Sequence, residues 1–344
     1  MDVLTHGLLG AALAQACAPR REIGAATVAG LGAGMLADAD TLLGSGSDPL
    51  LVIEYHRHFS HALAFVPVGA LIAALLLWPL LRNRLTPSRL YLYALLGYAL
   101  AGFLDACTSY GTHLLWPFSS RRIAWSVIAI VDPLFSLALA AALLIGLRAR
   151  RALPARLGLL FACAYLLLGA AQHQRAALIA RDFAAARGHQ AERLVVKPTI
   201  GNLLLWRAIY VSDGRAHAFG VRAGFGDGVR VYDGESVALF EADRDASWAA
   251  PGSRARRDIE RFAELSEGML ARDPSRPELL GDVRYAMLPT SVEPLWGIVL
   301  DPSAPDAHVR FVTNRNLTPE RRRQLVDMLL GRASLPGTAP AATR

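Results

Sequence analysis

Long hydrophobic runs separated by short arginine-containing stretches dominate the first 180 residues. Two weak runs come first: 7–18 is short, and 23–37 is rich in Gly and Ala. They are compatible with short spans or with helices packed against the others at the membrane face. Each of four later runs approaches or exceeds the roughly 18–20 apolar residues that a helix needs to cross a bilayer. These runs are 62–81, 90–107, 125–147 and 157–179. The pattern predicts an all-α polytopic membrane helix bundle of about four to six spans over residues 1–180.

After residue 180 the pattern changes to alternation and turn signals. The segment around Asp213-Gly214 predicts a β-hairpin, and a second Asp-Gly turn follows at 233–234. Helical patterns cover about 254–271 and 318–331. Strands are expected in RYAML, LWGIVLD and HVRFVTN. We therefore predict a small α+β extramembrane domain over residues 181–333, followed by a disordered tail at 334–344.

Composition supports this division of the chain. Hydrophobic residues make up 53% of the 344 positions, charged residues make up only 19%, and the mean hydropathy is +0.31. Such values exclude a disordered chain and are unusual for a water-soluble protein of this size. The three cysteines, Cys17, Cys107 and Cys163, lie in or beside apolar runs without CxxC spacing, so neither a disulfide framework nor a cysteine zinc site is expected.

The net charge of +7 is explained better by membrane orientation than by nucleic acid, and no nucleic-acid partner is predicted. If the chain starts outside and crosses six times, the inner loops are 19–22, 82–89 and 148–156. These loops contain nine arginines, whereas the outer segments contain Arg57, Arg121 and Arg122. The start, MDVLTHGLLG, lacks a basic leader and a cleavage signal, so we expect it in the mature chain. The prediction is a multi-pass inner (plasma) membrane protein with an extracytoplasmic C-terminal domain.

Ionisable side chains gather where the predicted helices reach the outer face. A helix in lipid tolerates such groups only when they pair, bind an ion or perform chemistry. Histidine and aspartate suit zinc and related divalent ions, with manganese or magnesium as alternatives, and helix bundles commonly carry such sites. The candidate ligands are His6, Asp38, Asp40, His56, His61 and Asp105. Thr108 and Thr112 are spaced to share a helical face with Asp105.

Several of these residues also have ordinary structural interpretations. Asp40 precedes Thr41 and is compatible with a helix N-cap, and His58 is compatible with a solvated neighbour of true ligands. His113 and His173 are interpreted as packing or interfacial residues. Arg121 and Arg122 fit either an anionic substrate or lipid headgroups. Asp132 lies within a predicted span, where it would complete the site or pair with an arginine such as Arg57.

An ordered string of motifs resembles one known family over roughly residues 1–180. The motifs are THGLLG, DAD, HRHFSH, FLDACTSYGTHLLWPFSSRR and Asp132-Pro133. Together they are similar to the YdjM-type family of inner-membrane, metal-dependent hydrolases. The chain has His58 where glycine is common in the family and Ser60 where threonine is common. The family description includes LexA binding, which these residues do not support, and a tail outside the cytoplasm argues against contact with a cytoplasmic repressor.

The resemblance implies an all-helical scaffold and a hydrolytic metal site, because the family is grouped with zinc-dependent phospholipase C and related nucleases. It implies phosphoester substrates and places metal at the six candidate ligands. Our leading hypothesis is a metal-activated water that attacks an ester or phosphoester, with membrane lipids as surroundings and a lipid-linked substrate. Asp38 or Asp40 would be the general base, and Arg57, Arg121 or Arg122 would neutralise charge that develops on a phosphoryl oxygen. Thr108 is a further candidate catalytic residue.

Two other functions fit the same residues. Intramembrane Asp and His also line ion paths, although here the polar residues stop near the outer ends of the spans apart from Asp132, and 62–81 is entirely apolar. This leaves a transporter or ion-conducting protein as one alternative. The other alternative is a non-catalytic membrane regulator with a structural metal and a partner-binding tail. No protein partner is identified by the sequence.

Overall fold

The chain forms two compact units in the computed structural model, which describes residues 1–224, 228–315 and 317–332. The predicted tail at 334–344 lies outside the described residues. We call the first the helical unit; it comprises Met1–Leu43, Tyr55–Ala171 and Ile200–Leu203. We call the second the sheet unit; it comprises Gly44–Glu54, Gln172–Thr199 and the chain from Leu204 onwards.

The N-terminal half is helical. Its helices are α1 (Val3–Cys17), α2 (Ile23–Leu36), α3 (Leu51–Tyr55), α4 (Val66–Leu81), α5 (Pro87–Ala99), α6 (Ala101–Ala106), α7 (Pro133–Ala149) and α8 (Leu153–Ala186), with 3₁₀ turns at Ala37–Leu42, Phe59–His61 and Leu63–Phe65. Within the described residues, two helical segments, Leu63–Leu81 and Leu153–Ala186, are long and apolar enough to cross a membrane. Helices α1 and α7 are apolar but shorter. The larger number of spans stays a prediction.

Two of the predicted spans differ from the helices observed. The run 90–107 is divided at Leu100 between α5 and α6. The run 125–147 becomes helical only at Pro133, because Asp132 caps α7 by accepting a hydrogen bond from the Phe135 amide at 3.2 Å. Since α6 ends at Ala106, the prediction that Asp105, Thr108 and Thr112 share one helical face is wrong.

Small residues allow the helices that carry the site to approach closely. A Cβ at Gly30 of α2 would lie 2.5 Å from the Gly10 carbonyl oxygen of α1, and a Cβ at Gly97 of α5 would lie 2.6 Å from the Gly30 carbonyl oxygen. No larger side chain fits at such contacts. Close packing through small residues is typical of membrane helices.

The sheet unit contains two antiparallel sheets with short helices. Its described elements are β1 (Arg193–Pro198), β2 (Leu205–Ser212), β3 (Arg215–Ala223), β4 (Val229–Tyr232), β5 (Ser236–Ala238), α9 (Ala242–Asp245), α10 (Arg254–Leu265), β6 (Leu270–Asp273), β7 (Arg276–Asp282), β8 (Trp296–Val299), β9 (Arg310–Thr313) and α11 (Pro319–Leu329). The first sheet has the order β1-β2-β3-β4, and β5 also pairs with β3. The second sheet has the order β6-β7-β8-β9.

The predicted hairpin is confirmed. Asp213 and Gly214, which join β2 and β3, have φ values of 52° and 68°, as a tight two-residue hairpin turn requires. The second Asp-Gly turn does not join paired strands, because β4 and β5 each pair with β3. The RYAML segment, predicted as a strand, is irregular, and the helix predicted to reach residue 271 ends at Leu265.

Candidate metal centre

Four predicted ligands from four separate segments meet inside the helical unit. His6 lies on α1, Asp38 in the 3₁₀ turn after α2, His61 in the 3₁₀ turn Phe59–His61, and Asp105 on α6. One ligand atom from each lies within 4.8 Å of every other, and all four side chains are buried. We call these four residues the His/Asp cluster.

Direct contacts link the members of the His/Asp cluster. His6 Nδ1 lies 2.6 Å from Asp38 Oδ2, and His6 Nε2 lies 3.1 Å from Asp105 Oδ1. His61 Nε2 lies 3.2 Å from Asp105 Oδ2 and 3.7 Å from Asp38 Oδ1. Two imidazoles and two carboxylates therefore converge on one small volume, with the Met1 amino group also paired to Asp105.

Two glycines make this convergence possible. A Cβ at Gly34 of α2 would lie 2.5 Å from the His6 carbonyl oxygen, so a side chain there would push α2 away from α1. Gly102 of α6 packs directly against the His61 carbonyl oxygen and has no room for a Cβ. The backbones that carry the ligands thus approach one another at positions where only glycine fits.

Asp40 and His56 lie beside the His/Asp cluster rather than in it. Asp40 Oδ2 lies 3.2 Å from His61 Nδ1 and accepts hydrogen bonds from Ser60 Oγ at 2.6 Å and the Arg57 amide at 2.8 Å. Its Oδ1 lies 3.0 Å from His56 Nδ1. Asp40 therefore orients the His61 ring from behind, as outer carboxylates do for metal-bound histidines. It is not a helix N-cap, because it lies inside the 3₁₀ turn Ala37–Leu42.

Arg57 supports the cluster from an unusual backbone position. Its φ of 60° is in the left-handed region, which directs its amide to Asp40 while its guanidinium reaches Asp105. Arg57 Nε lies 2.9 Å from Asp105 Oδ2, and its terminal nitrogens donate to Thr108 Oγ1 at 3.1 Å and to the Met1 carbonyl at 3.0 Å. Arg57 is buried and paired within the site. Thr108 is linked to the cluster by the hydrogen bond that it accepts from Arg57.

Three carboxylates, from Asp38, Asp40 and Asp105, bring negative charge to the site, and the Arg57 guanidinium offsets part of it at Asp105. Burial alone would raise the pKa values of Asp38 and Asp40, but hydrogen bonds from His6, His56 and His61 hold both well below their usual range. Burial would likewise lower the pKa of His61, yet Asp38 and Asp40 raise it to about 9. Without a metal, His61 therefore holds a proton at neutral pH, and a divalent cation would displace that proton on binding.

The remaining candidates lie farther out. Arg121 is exposed, and Arg122 is half-buried with its guanidinium 4.7 Å from the centre of the Tyr110 ring. The His58 ring packs against His113, with centroids 4.5 Å apart. Neither His58 nor His113 belongs to the His/Asp cluster.

Asp132 is also outside the cluster, and the predicted pairing with Arg57 is wrong. Besides capping α7, the Asp132 carboxylate accepts a hydrogen bond from Tyr165 Oη at 2.8 Å. Arg57 pairs with Asp105 instead. The Asp132 carboxylate thus serves to join α7 and α8.

The residues of the His/Asp cluster lie in the part of the chain that matches a known protein family. Residues 1–176 match the family described as YdjM inner membrane protein. The chain belongs to this family. The match covers the helical N-terminal half and includes every member of the His/Asp cluster.

A curated relative adds a more limited likeness. This YdjM family member is 29% identical over 140 residues to the uncharacterized protein YfhP of Bacillus subtilis (strain 168). The alignment covers 39% of the chain and 42% of YfhP, so it spans less than half of that relative. No solved structure matches the chain significantly.

The chemistry of the cluster fits a divalent metal. His61 Nε2 and Asp105 Oδ2 are buried and 3.2 Å apart, and among the described residues neither makes a well-aligned hydrogen bond, although Asp105 Oδ2 is ion-paired with Arg57 Nε at 2.9 Å. A bound cation would satisfy both atoms, and two histidines with two carboxylates form a donor set that suits zinc. The family member can therefore hold a divalent metal at His6, Asp38, His61 and Asp105.

Sequence reasoning did not assign roles to two residues that shape the site. Ser60 donates to Asp40, and Tyr98 Oη donates to the Ser60 carbonyl at 2.8 Å, so α5 fixes the turn that carries His61. The signal for Ser60 was the hydroxyl it shares with the threonine common in the family. For Tyr98 the sequence contained no signal, because a tyrosine in an apolar helix usually indicates packing.

Proposed function

We propose that this protein is a membrane-bound, metal-dependent hydrolase that acts on an ester or phosphoester. The observation that carries the proposal is the His/Asp cluster, in which four buried metal-ligating side chains from four segments meet within 4.8 Å. Burying two carboxylates and two imidazoles costs stability unless a charge compensates them. Arg57 and the Met1 amino group compensate Asp105 in part, and a divalent cation would add compensation for the two carboxylates together.

In this proposal His6, Asp38, His61 and Asp105 hold the metal, with zinc favoured and manganese or magnesium as alternatives. A metal of this kind supplies Lewis acidity and lowers the pKa of a water from about 15.7 towards about 7. The chain holds its ligands in place through Asp40, which fixes His61, and through Arg57, which fixes Asp105. Asp40 is thereby reassigned from general base to positioning residue.

His56 is the residue best placed to move a proton. Its Nδ1 is bonded to Asp40, and its side chain is 24% exposed, whereas the ligands are fully enclosed. A histidine that is oriented by a carboxylate and reaches solvent can pass a proton between water and a leaving group. We therefore propose His56 as the general acid or base.

Arg122 is the best placed of the three candidate arginines to meet an anionic substrate. Its guanidinium stacks on Tyr110, and the Tyr110 ring lies 5.8 Å from the His56 ring. Arg57 is buried and engaged with Asp105 and Thr108, whereas Arg122 is half-buried and donates to the Gly111 carbonyl at 3.4 Å. An arginine beside the proton-carrying histidine suits a phosphoryl group, which supports the phosphoester assignment and the phospholipase C-like relationship.

The membrane setting narrows the substrate class. Membership of an inner membrane protein family, together with two helices long enough to span, favours a lipid or lipid-linked substrate. We propose that the multi-span topology predicted from arginine placement holds and that the site faces the extracytoplasmic side. Labelling of engineered cysteines from either side of intact cells tests this orientation.

The metal test uses full-length protein purified in detergent and analysed for elemental content. We expect one or more divalent ions per chain in the wild type and none in His61→Ala or Asp38→Asn. His58→Ala is the matched control, since His58 lies outside the cluster, and it should keep its metal. Absence of metal from folded wild-type protein after incubation with zinc, manganese or magnesium would overturn the proposal.

The activity test uses bis(p-nitrophenyl) phosphate, p-nitrophenyl acetate and phospholipid vesicles as substrates. We expect the protein to hydrolyse at least one of these substrates. A chelator should abolish the activity, and zinc or manganese should restore it. His56→Ala should lower the activity without loss of metal. A protein that binds metal, unfolds when the metal is removed and hydrolyses none of these substrates would instead be the regulator with a structural metal.

A further inference from the structure

One loop beside the candidate site exposes large apolar side chains. Segment 114–122 contains Phe118, which is 89% exposed, and Leu115, which is 46% exposed. Exposure of such large apolar side chains to water is unfavourable. Exposed apolar groups of this kind mark contact surfaces for a partner or a membrane.

The base of this loop is fixed to the site. The Thr112 hydroxyl donates to the Arg57 carbonyl at 2.8 Å, and the His113 amide donates to the same oxygen at 3.2 Å. The Leu63 amide donates to the Leu114 carbonyl at 3.0 Å, which ties the loop to the start of the candidate span Leu63–Leu81. The exposed apolar residues therefore follow a base that is hydrogen-bonded both to the site and to the start of the candidate span.

Other exposed apolar groups lie on the segments that carry the ligands. Leu42, two residues after Asp40, is 84% exposed. Phe103 of α6 and Trp125 are 42% and 44% exposed, and their rings lie 5.5 Å apart. Tryptophan, like tyrosine, is enriched where membrane proteins meet the lipid headgroups, which fits Trp125.

The charge of the loop identifies the chemistry of the surface it contacts. Residues 106–131 contain two arginines, Arg121 and Arg122, and no Asp or Glu. Arg121 is exposed three residues after Phe118. Apolar side chains for acyl chains next to arginine for phosphates match an anionic phospholipid surface.

We propose that segment 114–122 inserts into the phospholipid interface, with Phe118 and Leu115 among the acyl chains and Arg121 on lipid phosphates. The surface of the bilayer then lies beside the His/Asp cluster, because the loop and the cluster share Arg57. The insertion is independent of catalysis. It requires a phospholipid bilayer, and anionic phospholipid should deepen it through Arg121.

The test places a nitroxide on full-length protein in nanodiscs and measures its collisions with oxygen and with a water-soluble nickel chelate. Phe118→Cys and Leu115→Cys are labelled separately in a Cys17→Ala, Cys163→Ala background, since Cys107 is buried. Leu75→Cys in α4 is the lipid reference, and Ser303→Cys, exposed in the sheet unit, is the aqueous reference.

We expect labels at positions 118 and 115 to collide several-fold less with nickel chelate than the label at 303, and more with oxygen. Exposure of both labels equal to that at 303, in folded protein, would overturn the insertion. The label at 118 should lie deeper in phosphatidylcholine mixed with phosphatidylglycerol than in phosphatidylcholine alone. Arg121→Gln should remove this difference, and Arg254→Gln, the matched control on α10, should keep it. An equal depth in both lipids would overturn the role of Arg121.

Discussion

Buried polar side chains have different roles in the helical unit and in the sheet unit. In the helical unit they converge on one point, where His61 Nε2 and Asp105 Oδ2 lack well-aligned hydrogen bonds to the described part of the chain. In the sheet unit they hold backbone in place: Arg207 donates to four carbonyl oxygens of one loop. Those oxygens belong to Val283, Leu288, Pro289 and Ser291. The contrast teaches that several metal-ligating side chains converging on one small volume indicate a ligand, whereas a side chain whose donors are spread over backbone carbonyls indicates a structural role.

The largest expected effect comes from removing a carboxylate of the His/Asp cluster. Asp38→Asn should abolish stoichiometric metal binding, a greater loss than the roughly 10–100-fold that outer-layer substitutions cost. The neutral asparagine side chain lacks the negative charge of Asp38, which would face the cation together with His6 and His61. Elemental analysis of purified protein measures the effect.

Asp132→Ala is the control for Asp38→Asn, because it removes a second buried carboxylate of the helical unit. Asp132 is equally buried but caps α7 and accepts a hydrogen bond from Tyr165, so its loss should lower stability by about 2–5 kcal/mol and leave the metal bound. Loss of metal from this variant, in protein that remains folded, would show that metal binding by the cluster depends on residues outside it such as Asp132.

The next effect is expected in the sheet unit, from Arg207→Lys. A single ammonium cannot replace the planar guanidinium, and buried carbonyls of the 283–291 loop would lose their donors. We expect a loss of about 2–4 kcal/mol, since each unsatisfied buried group costs about 1–3 kcal/mol. Denaturant titration of the full chain measures the change.

The matched control for Arg207 is Arg254→Lys, at an exposed position on α10. It should change stability by less than about 0.5 kcal/mol. Metal content should be the same in both arginine variants. An Arg207→Lys variant as stable as the wild type would contradict an architectural role for this guanidinium.

A smaller effect is expected where the backbone itself brings ligands together. Gly102→Ala places a methyl group against the His61 carbonyl, so we expect His61 to move and metal affinity to fall by roughly 10–100-fold, as for other supporting positions. Competition with a fluorescent zinc chelator measures the affinity.

Gly24→Ala is the corresponding control. Gly24 lies on α2, and apart from its chain neighbours and the adjoining backbone of that helix, no heavy atom of the described residues lies within 4 Å of the position that an added methyl group would take. Alanine should therefore fit and stabilise the helix by roughly 0.5–1 kcal/mol. Equal metal affinities for the two alanine variants would exclude close approach at Gly102 as a determinant of the site.

The smallest effect concerns Lys197, the sole lysine of the chain. Its amine is buried without a hydrogen bond to the described residues, 3.5 Å from the centre of the Tyr285 ring, and burial holds its pKa well below the usual 10.5. As the pH falls below 10.5, the unfolded chain takes up a proton that the folded chain resists. The lysine therefore lowers stability on the acid side.

Lys197→Met should remove this cost and stabilise the protein by about 1–3 kcal/mol near neutral pH, with the gain disappearing above a pH of about 10.5. Arg230→Met, an exposed change on β4, should show no such pH dependence. NMR of the single lysine side chain would report its pKa directly. A value near 10.5 would contradict the prediction.

Much of the outline was predictable from the sequence. Hydrophobic runs located the helical half, and the Asp213-Gly214 turn located a hairpin, because both signals are local. Membership of the YdjM family followed from a string of motifs. The meeting of His6, Asp38, His61 and Asp105 followed from their positions at the ends of apolar runs.

Only the tertiary structure decided which polar residues face the cluster. Asp38 and Asp40 are two apart in a 3₁₀ turn, yet one points into the cluster and the other supports His61 from outside. The left-handed backbone at Arg57 directs its guanidinium to Asp105 and leaves Asp132 to Tyr165. The hydrophobic pattern of the sequence indicates whether a residue is buried. The residue that a buried polar side chain contacts depends instead on the direction of the backbone and on close contacts such as the one at Gly102. Such contacts form only when segments distant in the sequence pack together.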